Sequence, residues 1–131
     1  MVNVAFIEQA EYECFAEPWD ERAIRSVTDD ACGICVCMTG IGYALGKFVI
    51  DEAELYRIAV LPGQRRRGSG RKILGEFIEE CRSKGVKTVF LEVRSKNGDA
   101  IALYEQSGFS RVGMRKNYYP DDDAVIYSLS L

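Results

Sequence analysis

The sequence lacks histidine altogether and has no apolar run near the roughly 20 residues that a membrane-spanning helix needs. Its start, MVNVAFIEQAEYE, lacks the basic region of a secretory signal and turns acidic early. Repeats, linkers and low-complexity segments are also absent, and 131 residues suffice for one sizeable core. These absences predict a cytoplasmic protein with a single domain over residues 1–131 and without a membrane partner.

Positive charge is in short supply overall, with 17 basic against 20 acidic residues and a net charge of −3. A nonspecific nucleic-acid binder needs a broad basic surface, so no nucleic acid is expected as a required partner. The basic residues are concentrated instead in LPGQRRRGSGRKIL, residues 61–74, which holds five basic side chains and three glycines. That stretch is the first candidate for a binding site.

The five cysteines are an odd number and are scattered, which does not indicate the disulfide framework of a small secreted domain. CGICVC contains one C-x-x-C pair, Cys32 and Cys35. A metal site would need a second pair or histidines, so no metal is predicted. We interpret these cysteines as small apolar residues of a strand, with a redox role for Cys32 and Cys35 as the alternative.

The first half of the chain predicts two short helices followed by strands. One helix ends near Ala16, and another begins after Pro18 with Asp20 as its N-cap. Small and β-branched residues over 34–50, and then ELYRIAV, predict two or three antiparallel strands. Their tight turns fall near residues 40–42 and 51–52.

The second half predicts a strand-helix-strand unit. Apolar residues at helical spacing follow the glycine-rich stretch, and Gly85 stands where a C-terminal cap belongs. VKTVFLEV, residues 86–93, has the composition of a buried strand, so it forms a parallel pair with the strand before the helix. A helix from about Asp99 to Ser107, capped by Asn97, and a last strand, AVIYSLSL, complete the chain.

The glycine-rich stretch lies between a predicted strand and a predicted helix. There the first backbone N–H groups of the helix lack partners, and the positive end of its dipole favours a phosphate. Gly68 and Gly70 let the backbone approach a bulky anion, and the arginines add charge-assisted hydrogen bonds. The stretch matches neither a Walker loop nor G-x-G-x-x-G. We interpret it as an anion site, with a solvated basic helix start as the alternative.

Arg65-x-x-Gly68-x-Gly70 resembles the Q/R-x-x-G-x-G/A motif of the GNAT acyltransferases. LYRIAVLPGQRRRGSGRKIL, LEVRSKNGDAIALYEQSGF and RKNYYP are similar, in order and spacing, to the RimI-type ribosomal-protein-alanine N-acetyltransferases. The resemblance implies an α/β (α+β) fold with a mixed, mostly antiparallel sheet, one parallel strand pair and helices on both faces. Members usually begin with an edge strand that this sequence lacks, so we expect an exposed edge and a monomer or weak homo-oligomer.

The same resemblance implies acetyl-CoA as cosubstrate, with its pyrophosphate on the glycine-rich turn. The backbone of Ile58, Ala59 and Val60 is expected beside the pantetheine arm. Asn97 matches a position near the cofactor, although it is equally suited to cap the following helix. The implied phosphate-binding residues are Arg65, Arg66, Arg67, Gly68, Ser69, Gly70 and Arg71.

Two residues are candidates for the chemistry. Glu92 is the lone carboxylate of VFLEV, and the residues alone allow either a general base or a strand-end glutamate paired with Arg94. Tyr104 would ordinarily be a core aromatic with its hydroxyl at the rim. The resemblance implies that Glu92 accepts the proton of the amine and that Tyr104 is the general acid.

Tyr118 and Tyr119 resemble an aromatic loop that closes over the incoming peptide, with a turn before the final strand as the alternative. The acidic residues of PDDDA and EPWDE are interpreted as turn and cap charges that could also attract a basic peptide. The activity implied is transfer of acetyl to the N-terminal alanine of a ribosomal protein. Acetylation of a small-molecule amine and a catalytically silent acyl-CoA-binding or RNA-binding module are the alternatives.

Overall fold

A computed structural model describes residues 2–131 of the chain. Within this range, helices α1 and α2 precede three strands, and the remaining helices and strands alternate before a final strand pair. The elements are α1 Val4–Cys14, α2 Glu21–Thr28, β1 Gly33–Met38, β2 Gly42–Val49, β3 Glu52–Val60, a 3-10 turn Pro62–Gln64, α3 Ser69–Ser83, β4 Thr88–Arg94, α4 Gly98–Gln106, β5 Ser110–Tyr119 and β6 Asp122–Ser130.

The strands form one six-stranded sheet in the order β1-β2-β3-β4-β6-β5. Strands β3 and β4 are parallel, and the other four neighbouring pairs are antiparallel. Helix α3 makes the crossover between the parallel strands, as a βαβ unit requires. The predicted mixed sheet with one parallel pair is confirmed.

Apolar residues cover both faces of the sheet, so the protein has two cores. The larger core lies under α3 and α4, and its most buried members include Leu55, Ile73, Leu74, Phe77 and Leu91. The smaller core lies under α1 and α2 and includes Ile7, Ile24, Val27, Tyr43 and Leu45. The prediction of helices on both faces is therefore also confirmed.

The helix ends follow the cap residues of the sequence. Asp20 accepts a hydrogen bond from the Ala23 N–H at 2.9 Å, and Asn97 accepts one from the Ala100 N–H at 3.2 Å. Gly85 ends α3 in the left-handed region, with φ of 80°. A residue with a side chain is strained there, so glycine stops the helix at low cost.

The ends of the sheet differ in part from expectation. Within residues 2–131 no strand precedes α1, and β1 forms one edge of the sheet. The opposite edge is β5, a ten-residue strand that the sequence did not predict. Its last residues, Tyr118 and Tyr119, were interpreted as an aromatic loop, with a turn as the alternative. Within the described residues no helix combines the length and the apolarity needed to span a bilayer.

Candidate active site

The parallel strands β3 and β4 separate halfway along their length. Their paired residues run only from Glu52 opposite Thr88 to Leu55 opposite Leu91, although β3 continues to Val60 and β4 to Arg94. The two strands thus leave a wedge between them, whose β3 side is the segment Tyr56–Val60. Backbone groups along such an opening need partners, and a ligand with amides can supply them as an added strand would.

A β-bulge accompanies this separation. Leu45 of β2 lies opposite Arg57 and Gly46 lies opposite Leu55, so Tyr56 is the extra residue of β3. A bulge bends its strand and increases the local twist, which directs the second half of β3 away from β4. Gly46 is needed at this place, because an added Cβ would lie 2.3 Å from the Glu54 carbonyl oxygen.

The glycine-rich turn closes the end of the wedge. Gly68, with φ of 77°, directly precedes α3, and no side chain caps the N-terminus of that helix. The free N–H groups and the dipole end therefore face the turn, as an anion site requires. Ser69 and Gly70 form the first turn of α3, where an added Cβ at Gly70 would make only ordinary contacts.

Four arginines surround this turn. Arg65 donates from Nε to the Val60 carbonyl oxygen at 2.9 Å, and Arg71 donates to Gln106 Oε1 at 3.1 Å. Arg66 and Arg67 are exposed, and Arg66 has φ of 64°. Among the described residues no carboxylate lies within 4.0 Å of these four cations, so their charge is available to an anion.

Glu92 lies on β4, directly after Leu91, the last residue of β4 that pairs with β3. Its Oε1 accepts a charge-assisted hydrogen bond from Arg115 Nε of β5 at 2.8 Å, and its side chain is 22% exposed. The alternative pairing with Arg94 is wrong, because Arg94 bonds Asp121 at 2.5 Å instead. Glu92 therefore faces a cleft of about 700 Å³ on the side of the sheet away from α3.

Tyr104 lies on α4 at the other side of the wedge and is only 6% exposed. Its ring packs edge-on against Phe109, with ring centroids 5.9 Å apart. Burial, with a smaller contribution from Tyr119, raises the pKa of Tyr104 to about 12. The phenol therefore stays protonated at all ordinary working pH values and can act as a hydrogen-bond donor.

The two candidate substrate tyrosines lie at the end of β5, not in an irregular loop. Tyr118 is exposed beneath the Arg115 guanidinium, and Tyr119 is half-buried beneath that of Arg94, 4.1 Å from the ring centroid. Burial raises the pKa of the Tyr119 phenol, and the negative charge of Glu92 also raises it. Tyr119 thus interacts electrostatically with both Glu92 and Tyr104.

The acidic residues that could have attracted a peptide are mostly engaged within the chain. Asp121 bonds Arg94, and Asp122 accepts from the Lys96 N–H at 2.9 Å. Asp123 accepts from the Asn117 N–H at 2.7 Å. These contacts agree with their interpretation as turn charges. Asn97 likewise uses its side-chain oxygen to cap α4.

Sequence reasoning missed a buried ion pair behind the cleft. Glu11 of α1 is fully buried and accepts hydrogen bonds from Arg57 at 2.8 Å, from the Trp19 N–H at 2.7 Å and from the Tyr43 hydroxyl. Arg57 also lies 4.0 Å over the Phe15 ring. Since α1 carries several glutamates, the sequence offered no signal that distinguished Glu11 from the exposed ones.

Sequence reasoning also missed three residues that line the cleft: Glu54, Tyr56 and Arg115. The first two lie on a strand that was predicted from ELYRIAV, but the sequence does not tell which face of it borders a cleft. Arg115 lies on β5, where the sequence predicted no strand. Among the described residues, no group of three or more potential metal ligands is arranged to hold an ion.

A wedge between parallel strands, a basic glycine turn before a helix, a carboxylate in a cleft and a buried phenol are together typical of an acyl-CoA-dependent transferase. The sequence model of the "Acetyltransferase (GNAT) family" matches residues 4–109. The chain therefore belongs to the GNAT family of acetyltransferases, and the resemblance seen in the sequence is confirmed.

Particular relatives agree with this membership. The chain is 37% identical to the [Ribosomal protein bS18]-alanine N-acetyltransferase of Salmonella typhimurium, over 94% of this chain and 88% of that protein. The crystal structure of the ribosomal-protein-S18-alanine N-acetyltransferase from Escherichia coli is 36% identical. It superposes with a TM-score of 0.87 over 97% of this chain and 86% of the other. A GNAT family acetyltransferase from Elizabethkingia anophelis, solved with acetyl-CoA bound, shares the fold at 17% identity, with a TM-score of 0.75 over 100% and 92% of the two chains.

Proposed function

We propose that this chain transfers the acetyl group of acetyl-CoA to the N-terminal alanine of a ribosomal protein. The observation that carries the proposal is the likeness to the bS18-alanine N-acetyltransferases over nearly the whole of both chains. The arrangement of the wedge, the basic turn and the Glu92–Tyr104 pair supports it, because each step of acetyl transfer to an amine then has a residue to perform it.

Acetyl-CoA fits the wedge and the turn. The free N–H groups at the start of α3 and the four nearby arginines would hold the diphosphate, with Gly68 and Gly70 giving it close access to the backbone. Ile58, Ala59 and Val60 would bind the amides of the pantetheine arm along the unpaired side of β3. Asn97 would stand beside the same arm while it caps α4. Acetyl-CoA supplies the acyl group as a thioester.

The amine must lose a proton before it can attack, because an α-ammonium has a pKa of about 7.7–8.0. Glu92 would accept that proton, directly or through a water molecule in the cleft. Tyr104 would donate a hydrogen bond or a proton to the departing sulfur. Placing the amine and the thioester side by side lowers the barrier further, by several kcal/mol in well-oriented reactions.

The peptide would enter through the cleft on the side of α1 and α2. Tyr118 and Tyr119, on the hairpin of β5 and β6, would stand at its rim, with the Arg115 and Arg94 guanidinium groups over their rings. They would cover the backbone of the bound peptide.

The test is mass spectrometry of a short peptide with a free N-terminal alanine and one internal lysine, incubated with acetyl-CoA and the protein. We expect one acetyl group at the α-amine and none at the lysine. The same peptide with a blocked N-terminus is the control. Acetylation of spermidine or an aminoglycoside but not of the peptide would contradict the proposal, and so would binding of acetyl-CoA without any turnover.

Glu92→Gln tests the assigned base. We expect kcat to fall by about 10²- to 10⁴-fold at neutral pH, the usual contribution of a general base. The dissociation constant of acetyl-CoA, measured by calorimetry, should stay unchanged, because Glu92 lies on the peptide side of β4. A wild-type rate would remove Glu92 from this role.

A further inference from the structure

A second carboxylate shares the cleft with Glu92. Glu54 of β3 lies level with Phe90 of β4, so Glu92 is its diagonal neighbour on the adjacent strand. With strands about 4.8 Å apart and a rise of about 3.3 Å per residue, such neighbours have Cα atoms about 8 Å apart, within reach of two glutamate side chains. Both side chains point away from α3, because their neighbours Ala53, Leu55 and Leu91 fill the core under it.

The two carboxylates differ in their surroundings. Glu92 is 22% exposed and has one oxygen engaged by Arg115. Glu54 is exposed at the cleft mouth, and none of the ion pairs among the described residues includes it. Glu92 is therefore the inner group, held in one orientation, and Glu54 is the outer group, in contact with both the cleft and solvent.

The charged groups around Glu54 come from three other strands. Lys47 of β2 lies directly opposite it, but the Lys47 ammonium bonds Asp30 at 3.0 Å. Glu92 of β4 and Arg115 of β5 lie on its other side, and Tyr56 follows it on β3. Partial removal of solvent in the cleft raises the pKa of Glu54, the negative charge of Glu92 raises it further, and Arg115 opposes both.

The chemistry of acetyl transfer requires two proton acceptors. The α-ammonium nitrogen carries three protons and the product amide nitrogen carries one, so two protons leave that atom. One proton must leave before the nitrogen attacks the acyl carbon and the other after the carbon–nitrogen bond has formed. When the carbon–sulfur bond breaks, the thiolate takes up one proton, and the second proton goes to solvent.

We propose that Glu54 is the proton-transfer partner of Glu92, and that it passes a proton from the inner carboxylate to solvent. This inference rests on the proposed function of the site. In it, Glu92 receives a proton from the amine, Glu54 receives it from Glu92 through the cleft water, and Glu92 returns to its ionised form for the second proton. Without Glu54, Glu92 alone would have to accept the first proton of the amine, release it to water and then accept the second, while one of its oxygens is bonded to Arg115.

The test compares Glu54→Gln with wild type on the alanine peptide over a range of pH. We expect kcat/KM at neutral pH to fall by about 10- to 100-fold, with acetyl-CoA binding unchanged. Above about pH 9.5 the amine is already neutral, given its pKa of about 7.7–8.0, so most of the loss should disappear. Glu52→Gln, on the same strand and also exposed, is the matched control and should behave as wild type.

Three outcomes would overturn the proposal: wild-type kcat/KM in Glu54→Gln, a loss that is the same at every pH, or a loss confined to the peptide KM. The last would make Glu54 a peptide-binding residue. A double variant, Glu54→Gln with Glu92→Gln, should be little slower than Glu92→Gln alone, because the two act in one relay. Full multiplication of the two losses would contradict a relay.

A further measurement does not depend on turnover and so separates this inference from the proposed function. NMR titration of 13C-labelled glutamate carboxyls follows Glu54 in wild type and in Glu92→Gln, with Glu54→Gln identifying the signal. Removing the negative charge of Glu92 should move the Glu54 midpoint to lower pH. An unchanged midpoint would show that the carboxylates do not interact, even if the peptide is acetylated.

Discussion

At the scale of the residue, the environment of Tyr104 suits the role proposed for it. A phenol whose pKa is near 12 is protonated at neutral pH before every transfer, so it is available as a donor at the start of each cycle. Its ring is held by the edge-on contact with Phe109. The activity should therefore show no alkaline loss from Tyr104 below about pH 11.

Tyr104→Phe should lower kcat by about 10- to 100-fold while leaving the ring packing and the acetyl-CoA affinity intact. Tyr127→Phe is the matched control, because Tyr127 is also buried in the larger core and its hydroxyl donates to Glu105 within the chain. Steady-state rates and melting temperatures of both variants separate chemistry from stability. Equal kcat in the two variants would argue against an acid at residue 104.

At the scale of the element, the hairpin of β5 and β6 is fixed at its turn. Arg94 bonds Asp121 and covers the Tyr119 ring, and Lys96 donates to the Asp121 carbonyl oxygen at 3.1 Å. The Arg94 guanidinium holds the pKa of the Asp121 carboxyl below its usual range. The ion pair therefore contributes in full above the ordinary aspartate pKa of about 3.9, and it is lost as the pH falls through the lower pKa of the folded state.

Arg94→Ala should raise the peptide KM several-fold and leave the melting temperature nearly unchanged. Exposed ion pairs contribute little to the free energy of unfolding, but Arg94 also covers the Tyr119 ring. The control is Arg82→Ala, which removes an exposed ion pair with Glu79 on α3, far from the hairpin. A KM equal in both variants would mean that the tyrosines do not contact the peptide.

The elements also show which parts of the fold a sequence can predict. Helix α3 and strand β4 could be predicted because their buried residues recur at helical and strand spacing. Gly85 marks the end of α3, because its φ of 80° favours glycine. Strand β5 has almost no buried residue, so its sequence carries no alternation and the strand exists only through pairing with β6. Propensity cannot reveal a strand that its neighbour imposes.

The residues of the candidate site likewise fall into those that the sequence could indicate and those that it could not. The glycine-rich turn and Glu92 could be found from the sequence, because their chemistry is local to one segment. Glu54 and Arg115 could not, since their roles depend on the register between β3 and β4 and on the pairing of β5 with β6. Contacts between distant segments are set by the topology, and no single stretch of sequence carries them.

At the scale of the whole molecule, the ion pair of Glu11 and Arg57 joins α1 to the sheet. It lies in the smaller core, and Trp19 and Phe15 of the connection between α1 and α2 pack around the same guanidinium. Two buried charges are costly unless each keeps its partner, so this contact makes the position of α1 depend on strand β3.

Glu11→Ala should lower the free energy of unfolding by about 3–5 kcal/mol, because it removes the carboxylate that accepts from Arg57, from the Tyr43 hydroxyl and from the Trp19 N–H in the smaller core. Glu8→Ala, one turn earlier on α1 and less buried, is the control. Urea denaturation of both variants gives the comparison. A loss below about 1 kcal/mol in Glu11→Ala would show that water replaces the carboxylate without cost.

The extra residue at the bulge of β3 brings neighbouring side chains to the same side. In a regular strand Tyr56 and Arg57 would point in opposite directions, but here both contact Trp19, with centroid distances of 6.3 Å and 5.2 Å. One peptide bond therefore joins Arg57, of the buried ion pair, to Tyr56, which lines the cleft. The contact that holds α1 on the sheet and one wall of the cleft are thus built on the same short stretch of β3.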